Sequence, residues 1–360
     1  MIRRRRATRP VRVGGLVIGG GAPVAVQSMT NTRTDDVAAT VRQTRSLARA
    51  GCELVRIAVP DAAAAAALPE IRARLKLPLC ADVHFDHRLA LAAIRAGFDK
   101  VRINPGNIGA GARTGRARSA RVCEVIRAAA DAGTAIRVGV NAGSIDRRFA
   151  RRPTVAAMVA SMAECLAPFE ALGFRALVLS AKASGVPETV AAYRELSRRW
   201  RWPLHLGLTE AGLPFEGAIR STAALGALLA EGIGDTVRVS LTGDPVREVE
   251  AAWELLAALG LRRRGPLVYA CPTCGRTGID VARLAREVKR ALAGCREPLK
   301  IAVMGCVVNG PGEARAADYG IAGGRGRGAV FARGRVLRTV PADRLVRELL
   351  RAIAAGQART

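Results

Sequence analysis

Eight short runs rich in β-branched residues, separated by alanine-rich helical stretches, fill residues 23 to 257 and leave few folds open to this chain. The strand candidates are 23–29, 54–59, 77–83, 100–104, 135–141, 176–182, 204–209 and 236–241. Helices are expected at 34–50, 114–132, 153–172 and 216–231, and the alanine run 62–67 also reads as helix. Parallel strands need crossovers long enough to hold a helix. Eight such units in series predict a (β/α)8 TIM barrel, with a doubly wound open sheet as the alternative. After residue 260 the pattern changes. LRRRGP at 261–266 reads as a linker, followed by a strand at 267–271, a helix near 278–294 and a strand at 300–305. A Gly/Arg-rich stretch at 320–328, a hairpin at 328–340 and a helix near 341–355 complete it. Residues 1–260 are therefore expected to form the barrel. Residues 261–360 are expected to form a smaller α/β domain, large enough to fold alone.

The polar residues inside those strands are more telling than their number. Side chains alternate across a strand with period two. Arg102 and Asn104 therefore share a face, as do Asp82 and His84, Arg137 and Asn141, Ser180 and Lys182, His205 and Thr209, and Arg238 and Ser240. Arg56 adds a cation from the second strand. These positions lie toward the C-terminal ends of their strands, where barrel enzymes place their sites. Cations converging there need an anion to offset their repulsion, and arginine forks match phosphate oxygens. The expected ligand is a small polyanion, a phosphate or diphosphate ester. The NPGNIG loop at 104–109 offers backbone amides to the same end.

Composition narrows the classes further. The net charge of +27 comes from arginines scattered along the whole chain, and aromatics are 4%. That pattern argues against specific nucleic-acid binding and points to anionic substrates or acidic protein partners. No uninterrupted apolar run approaches the roughly 18 residues of a membrane span. The start, MIRRRRATRPVRVGGLVIGG, mimics an export signal, but its glycines and Arg12 break the apolar stretch. A frayed basic tail leading into a hairpin is expected instead. Cys52, Cys80, Cys123 and Cys165 sit among apolar neighbours, where small buried thiols are common, and a reducing cytoplasm is the expected compartment.

The remaining chemistry is carried by sulfur. Cys271 and Cys274 in CPTCGR, with Cys306 in MGCVVNGPGEA, place two thiols on one tight turn and a third in a distant Gly/Pro loop. Thiolates so placed favour a soft metal, either zinc or an iron–sulfur cluster. Spacing alone does not separate the two. A structural zinc would take Cys295 as a fourth ligand, whereas Glu313 in the second loop would suit a hard, exchangeable position. A zinc-bearing barrel with a binding role, and an enzyme using Cys271 and Cys274 as a thiol–disulfide couple, remain as alternatives.

The segments APVAVQSMTNT, CELVRIAVP, ADVHFD, KVRINPGNIG, RVGVNAGS, HLGLTEAG, GIGDTVRVSL, CPTCGR and AVMGCVVNGPGEA resemble one family in order and spacing. It is the 4-hydroxy-3-methylbut-2-enyl diphosphate synthases of the non-mevalonate isoprenoid pathway, in their short bacterial form, and the likeness runs from about residue 8 to 350. The resemblance implies a barrel followed by an α/β iron–sulfur domain. It implies a [4Fe–4S] cluster held by Cys271, Cys274, Cys306 and Glu313. The implied reaction is reductive ring opening of 2-C-methyl-D-erythritol 2,4-cyclodiphosphate with loss of water. Its two electrons come singly from reduced flavodoxin or ferredoxin. Arg56, Arg102, Arg137, Lys182 and Arg238 match the substrate cations, and Asp82, Asn104, Asn141 and Ser240 match positioning residues. Glu210 in LTEAG matches a proton-handling residue. A head-to-tail homodimer is implied, one subunit's cluster domain covering the other's barrel mouth. Gly185 stands where the family usually has aspartate, and Arg220 where lysine is usual. Anaerobically purified protein is predicted to carry about four iron and four acid-labile sulfide per chain. About one zinc and no sulfide, persisting after reconstitution, would favour the binding alternative.

Overall fold

A computed structural model describes residues 3–104, 107–108, 115–145, 147–149, 151–306, 316–324 and 326–357. The chain divides after Arg262 into two compact units.

The first unit opens with a hairpin, β1 (Val11–Val13) and β2 (Leu16–Ile18), turned by Gly14 and Gly15. Gly14 lies at φ +56, a conformation glycine adopts without strain. Eight parallel strands follow: β3 (Ala25–Met29), β4 (Leu54–Ala58), β5 (Leu79–Asp82), β6 (Lys100–Ile103), β7 (Ala135–Asn141), β8 (Leu177–Lys182), β9 (His205–Leu206) and β10 (Thr236–Val237). Each pairs with its sequence neighbour, and β10 pairs with β3. A bridge from Leu179 to Leu204, with Leu179 N–H donating to Pro203 at 2.8 Å, joins β8 to the start of β9 and closes the ring. The expected (β/α)8 barrel is present. Its last two strands are shorter than the sequence suggests, because regular pairing stops at Leu206 and Val237.

Among the described residues, eight helices cover the outside: α1 (Val37–Ala50), α2 (Ala62–Ala73), α3 (His87–Arg95), α4 (Gly115–Asp131), α5 (Thr154–Ala171), α6 (Val186–Arg199), α7 (Pro214–Ala230) and α8 (Pro245–Ala258). Asp36, Asp61, Asp86 and Asp244 cap α1, α2, α3 and α8 through their carboxylates, which is why α1 starts at Val37 rather than residue 34. Alternation divides each strand. Val55, Ile57, Val101, Ile103, Val138 and Leu206 join the helices in the main apolar core, and the polar residues are left for the interior. The hairpin closes the barrel floor: Val11, Val13 and Ile18 pack on Leu54, Cys80, Ala135 and Val178. Helix α5 is long and apolar enough to cross a membrane by length and composition, yet it packs beside β7, α4 and α6 as a barrel helix. The uninterrupted-run criterion passes over it because Ser161 and Glu164 interrupt the apolar residues.

The frayed tail expected before the hairpin is instead docked. Arg5 donates to Asp235 at 2.6 Å and to the carbonyls of Ala22 and Gly234. Arg6 donates to the carbonyls of Trp200 and Trp202, and Arg9 stacks over the Trp202 ring at 4.6 Å. Burial lowers the Arg6 pKa, against the pull of Asp235. Arginines read as a solvated run thus find carbonyls and one buried carboxylate, contacts that sequence pattern alone does not reveal.

The second unit is a five-stranded sheet in the order β11 (Leu267–Ala270), β12 (Lys300–Met304), β13 (Tyr319–Gly323), β14 (Arg327–Ala332), β15 (Arg335–Pro341). The first three strands are parallel, and the last two add an antiparallel hairpin turned by Arg333 and Gly334. Helices α9 (Val281–Ala291) and α10 (Leu345–Gln357) bury Val281, Leu284, Val288, Leu345, Leu349 and Ile353 against one face. The other face carries Ala302, Met304, Ala317, Ala322 and Phe331. Part of the stretch read as Gly/Arg-rich is strand β13. Its Gly320 makes room for the Phe331 ring and its Gly323 for Ile279, so the glycines serve packing rather than a loop. Arg5→Ala is predicted to lower barrel stability by about 2 kcal/mol in denaturant unfolding, because Asp235 stays buried without its cation.

Candidate functional site

The C-terminal ends of the barrel strands surround a cavity of about 210 Å³. Arg56, Arg102, Arg137, Asn141, Lys182, Glu210, Arg238 and Ser240 line it, all of them positions singled out from sequence. His84, Ser180 and Thr209 join them. The strand register explains the convergence. Arg102 pairs with Asp82 on one side and Arg137 on the other, and Asn141 pairs with Lys182. Period-two alternation then turns these residues inward together.

Asp82 lies behind the lining rather than in it. Its carboxylate accepts from Arg56 at 3.2 Å and Arg102 at 3.5 Å, and His84 Nε2 lies 3.3 Å away. Burial alone would raise its pKa, but Arg56, His84 and Arg102 hold it well below the usual carboxylate range. His84 also sits 3.1 Å from the Arg102 guanidinium, which places it at the cavity rather than in the core. His205 is a core residue: fully buried, its Nδ1 lies 2.6 Å from Thr236 Oγ1. Asn104 does not line the cavity. Its carbonyl accepts from Asn107 and Ile108, and its amide oxygen lies 4.0 Å from Cys165 on α5.

Two features of the site lay outside the sequence reading. Glu248 on α8 grips Arg238 through both oxygens at 3.1 and 3.2 Å while accepting from Ser28 and the Leu241 amide. The signal was the Asp244–Pro245 cap, which puts Glu248 in the first turn of α8. The second is a pair of glycines. A Cβ on Gly139 would lie 2.9 Å from Arg102 Nε, and one on Gly207 2.5 Å from the Lys182 ammonium. Both vacate interior space for a cation.

Burial is the dominant electrostatic force here. It lowers the pKa of Arg137 to about 9, with Arg56 and Arg102 pushing the same way. Lys182 is held well below its ordinary value by burial and then by Arg137, Arg56 and Arg238. Such a cluster binds an anion strongly because the anion replaces repulsion with pairing. Glu210 adds a carboxylate from the loop after β9, at φ +54, a strained conformation for a residue with a side chain. It precedes α7 and is not among that helix's first-turn acids, which is Glu216. Arg220, at the family's usual lysine position, donates to the Ala211 carbonyl at 3.1 Å and so ties down the same loop. Gly185 leaves room for the Glu188 carboxylate at the start of α6.

In the second unit, Cys271, Cys274 and Cys306 line one cavity of about 160 Å³ with Arg276, Thr277 and Gly305. Cys271 follows β11, and Cys306 follows β12 two residues on. Gly278 N–H donates to the Gly305 carbonyl at 2.9 Å, joining the two loops. Gly305 N–H lies 3.1 Å from Cys271 Sγ, and the backbone N–H of Arg276 lowers the Cys274 thiol. That donor favours the Cys274 thiolate. Among the described residues no three His, Cys, Asp or Glu side chains converge tightly enough for a single ion. Cys295 does not line the cavity and packs in the apolar core beneath α9. Glu313 lies outside the described residues. Cys52, Cys80 and Cys165 are buried, and burial pushes the Cys52 thiol up to about 12.

Residues 8–253 match the family described as GcpE TIM-barrel domain, and residues 267–355 match the GcpE protein C-terminal domain. Relatives named 4-hydroxy-3-methylbut-2-en-1-yl diphosphate synthase (flavodoxin) align over nearly the whole length. The protein from Geobacillus kaustophilus is 49% identical over 97% of this chain and 92% of its own. That from Lawsonia intracellularis is 52% identical over 93% and 92%, and that from Geobacter sulfurreducens 51% over 96% and 98%. Among solved structures, dihydropteroate synthase from Stenotrophomonas maltophilia superposes with a TM-score of 0.52 at 18% identity. It covers 71% of this chain and 100% of its own, a likeness of fold alone. Gly207→Ala is predicted to raise the dissociation constant for an anionic ligand of the barrel roughly tenfold. The added methyl would displace the Lys182 ammonium, while circular dichroism stays that of the parent. Unchanged affinity would remove Lys182 from the binding set.

Proposed function

This chain belongs to the GcpE family, and from that premise we propose how its own residues carry out the family's reaction. It is an iron–sulfur oxidoreductase that reduces 2-C-methyl-D-erythritol 2,4-cyclodiphosphate to 4-hydroxy-3-methylbut-2-enyl diphosphate. The observation that carries the residue assignment is the convergence of Arg56, Arg102, Arg137, Lys182 and Arg238 on one cavity with Asn141 and Ser240 between them. A cyclic diphosphate presents its anionic oxygens on one side of a small ring. The guanidinium forks and the ammonium bind those oxygens, and Asn141 and Ser240 fix the orientation by hydrogen bonds. Asp82 acts through Arg56 and Arg102 by holding their planes. Asn104 supports the following loop through its carbonyl, which accepts from Asn107 and Ile108.

Ring opening with loss of water requires a proton at the departing oxygen. Glu210 is the acid that lines the cavity on the loop after β9, and we assign it that proton. Cys271, Cys274 and Cys306 would hold a [4Fe–4S] cluster, with Glu313 as the proposed fourth ligand. When bound, that cluster supplies reducing equivalents one electron at a time. The relatives' names point to reduced flavodoxin as donor, and the net charge of +27 suits an acidic carrier. A head-to-tail homodimer would seat one subunit's cluster over the other's barrel mouth.

Two experiments test these assignments. In reconstituted enzyme supplied with reduced flavodoxin, Glu210→Gln is expected to retain substrate binding and lose turnover by about a hundredfold or more. Near-normal turnover would remove it from proton transfer. Arg137→Leu should weaken substrate binding while leaving the cluster spectrum intact, and Cys306→Ala should do the reverse. Mixing the two inactive proteins under subunit exchange is expected to restore activity, because one hybrid site combines an intact barrel with an intact cluster. No recovery despite proven exchange would place both groups of one site on the same chain.

A further inference from the structure

Between the apolar floor and the substrate cavity lies a layer of polar side chains that the reaction above does not use. Gln27 on β3, Lys100 on β6 and His205 on β9 are 1%, 0% and 0% exposed, and none of them lines the substrate cavity. Lys100 donates to Gln27 Oε1 at 3.2 Å, a bond between strands that are not neighbours and so one made inside the barrel. Below them Val11, Val13 and Ile18 close the floor against water.

This layer is rich in donors and poor in acceptors. Gln27 Nε2, His205 Nε2, Arg137 Nε and Nη1, and Arg56 Nε are all buried without a hydrogen-bond partner in the protein. The nearby acceptors are engaged, Gln27 Oε1 by Lys100 and Asp82 by Arg56 and Arg102, while the Thr236 hydroxyl lies 2.6 Å from His205 Nδ1. A water molecule among these groups would have to donate its own hydrogens, and these partners accept few. An anion only accepts. Charge points the same way, since Lys100 and Arg137 lie close enough to repel each other and burying cations without a counter-charge is unfavourable. The interior of an eight-stranded barrel is filled by side chains, so the occupant must be small.

We propose that the barrel floor holds one small monovalent anion of the halide type, gripped by Lys100, Gln27 Nε2, His205 Nε2 and Arg137. In this arrangement Thr236 donates to His205 Nδ1, which leaves the hydrogen on Nε2. Burial, joined by Arg137 and Arg56, lowers the Lys100 pKa to about 7 against the pull of Cys80, and a neighbouring anion would return the ammonium to its charged form. The site adjoins the substrate cavity, with which it shares Arg137, and its test reads the anion directly, whatever reaction the barrel performs.

Crystals of the intact protein prepared in bromide, without substrate, would be measured at the bromine edge. An anomalous peak beside Lys100 Nζ is expected. Density there without anomalous signal means ordered water and overturns the proposal. Thermal unfolding at constant ionic strength supplies the solution readout: chloride or bromide should raise Tm by a few degrees over gluconate. Lys100→Met should abolish both the peak and the halide-dependent shift. If that variant does not fold, Gln27→Met removes the amide donor at less risk and should weaken both. A peak retained in both variants, or equal Tm in chloride and gluconate, would show an adventitious ion only and refute the site.

Discussion

The carboxylate of Asp82 is the contact on which the barrel's chemistry depends. It sits between Arg56 and Arg102 in a ring that also brings Arg137, Lys182 and Arg238 to one place. Like charges at such density would spread apart if nothing held them. Asp82 fixes two of the guanidinium groups, and Glu248 fixes a third through a bidentate grip from α8. Neither carboxylate neutralises the cluster. The residual positive charge suits an anionic ligand, and the rigid partners keep it preorganised so that binding would spend little on rearrangement. Breaking either buried pair would leave a cation without its anchor, which is costlier than the pair itself is stabilising.

Much of this was legible in the residues. Eight apolar strands with polar residues at their C-terminal ends imply a barrel whose mouth binds an anion, because strand alternation is a local rule and barrel closure follows from counting units. Arg56, Arg102, Arg137, Asn141, Lys182, Arg238 and Ser240 reach the cavity for that reason. Asn104, one residue beyond the end of β6, is buried but does not line the cavity. Gly139 and Gly207 were silent for a different reason: their role is to be absent where a lysine or arginine from a neighbouring strand must fit. Such a role belongs to a pair of residues, and no single-position pattern reports it. Glu248 was missed because a helix-start acid ordinarily serves the helix itself, whereas here it turns inward to Arg238.

The smaller unit shows the same limit. Its helices announce themselves by amphipathic spacing, yet β13 is written in Tyr, Gly, Ile and Ala, and two of its glycines exist to admit Phe331 and Ile279. The cysteines were the clearest signal of all, since CPTCGR and MGCVVNGPGEA place sulfur at the ends of adjacent strands.

The docked N-terminal arm bears on how the molecule is made. Arg3, Arg5, Arg6 and Arg9 hold on to residues between Trp200 and Asp235, across the last two strands of the barrel. During synthesis these first residues leave the ribosome long before their partners do. The arm must stay unattached while most of the barrel is translated, and it settles only when β9 and β10 arrive. The contacts that fasten the approaches to the last two strands are therefore among the last to form, and they are made by residues that precede the whole barrel.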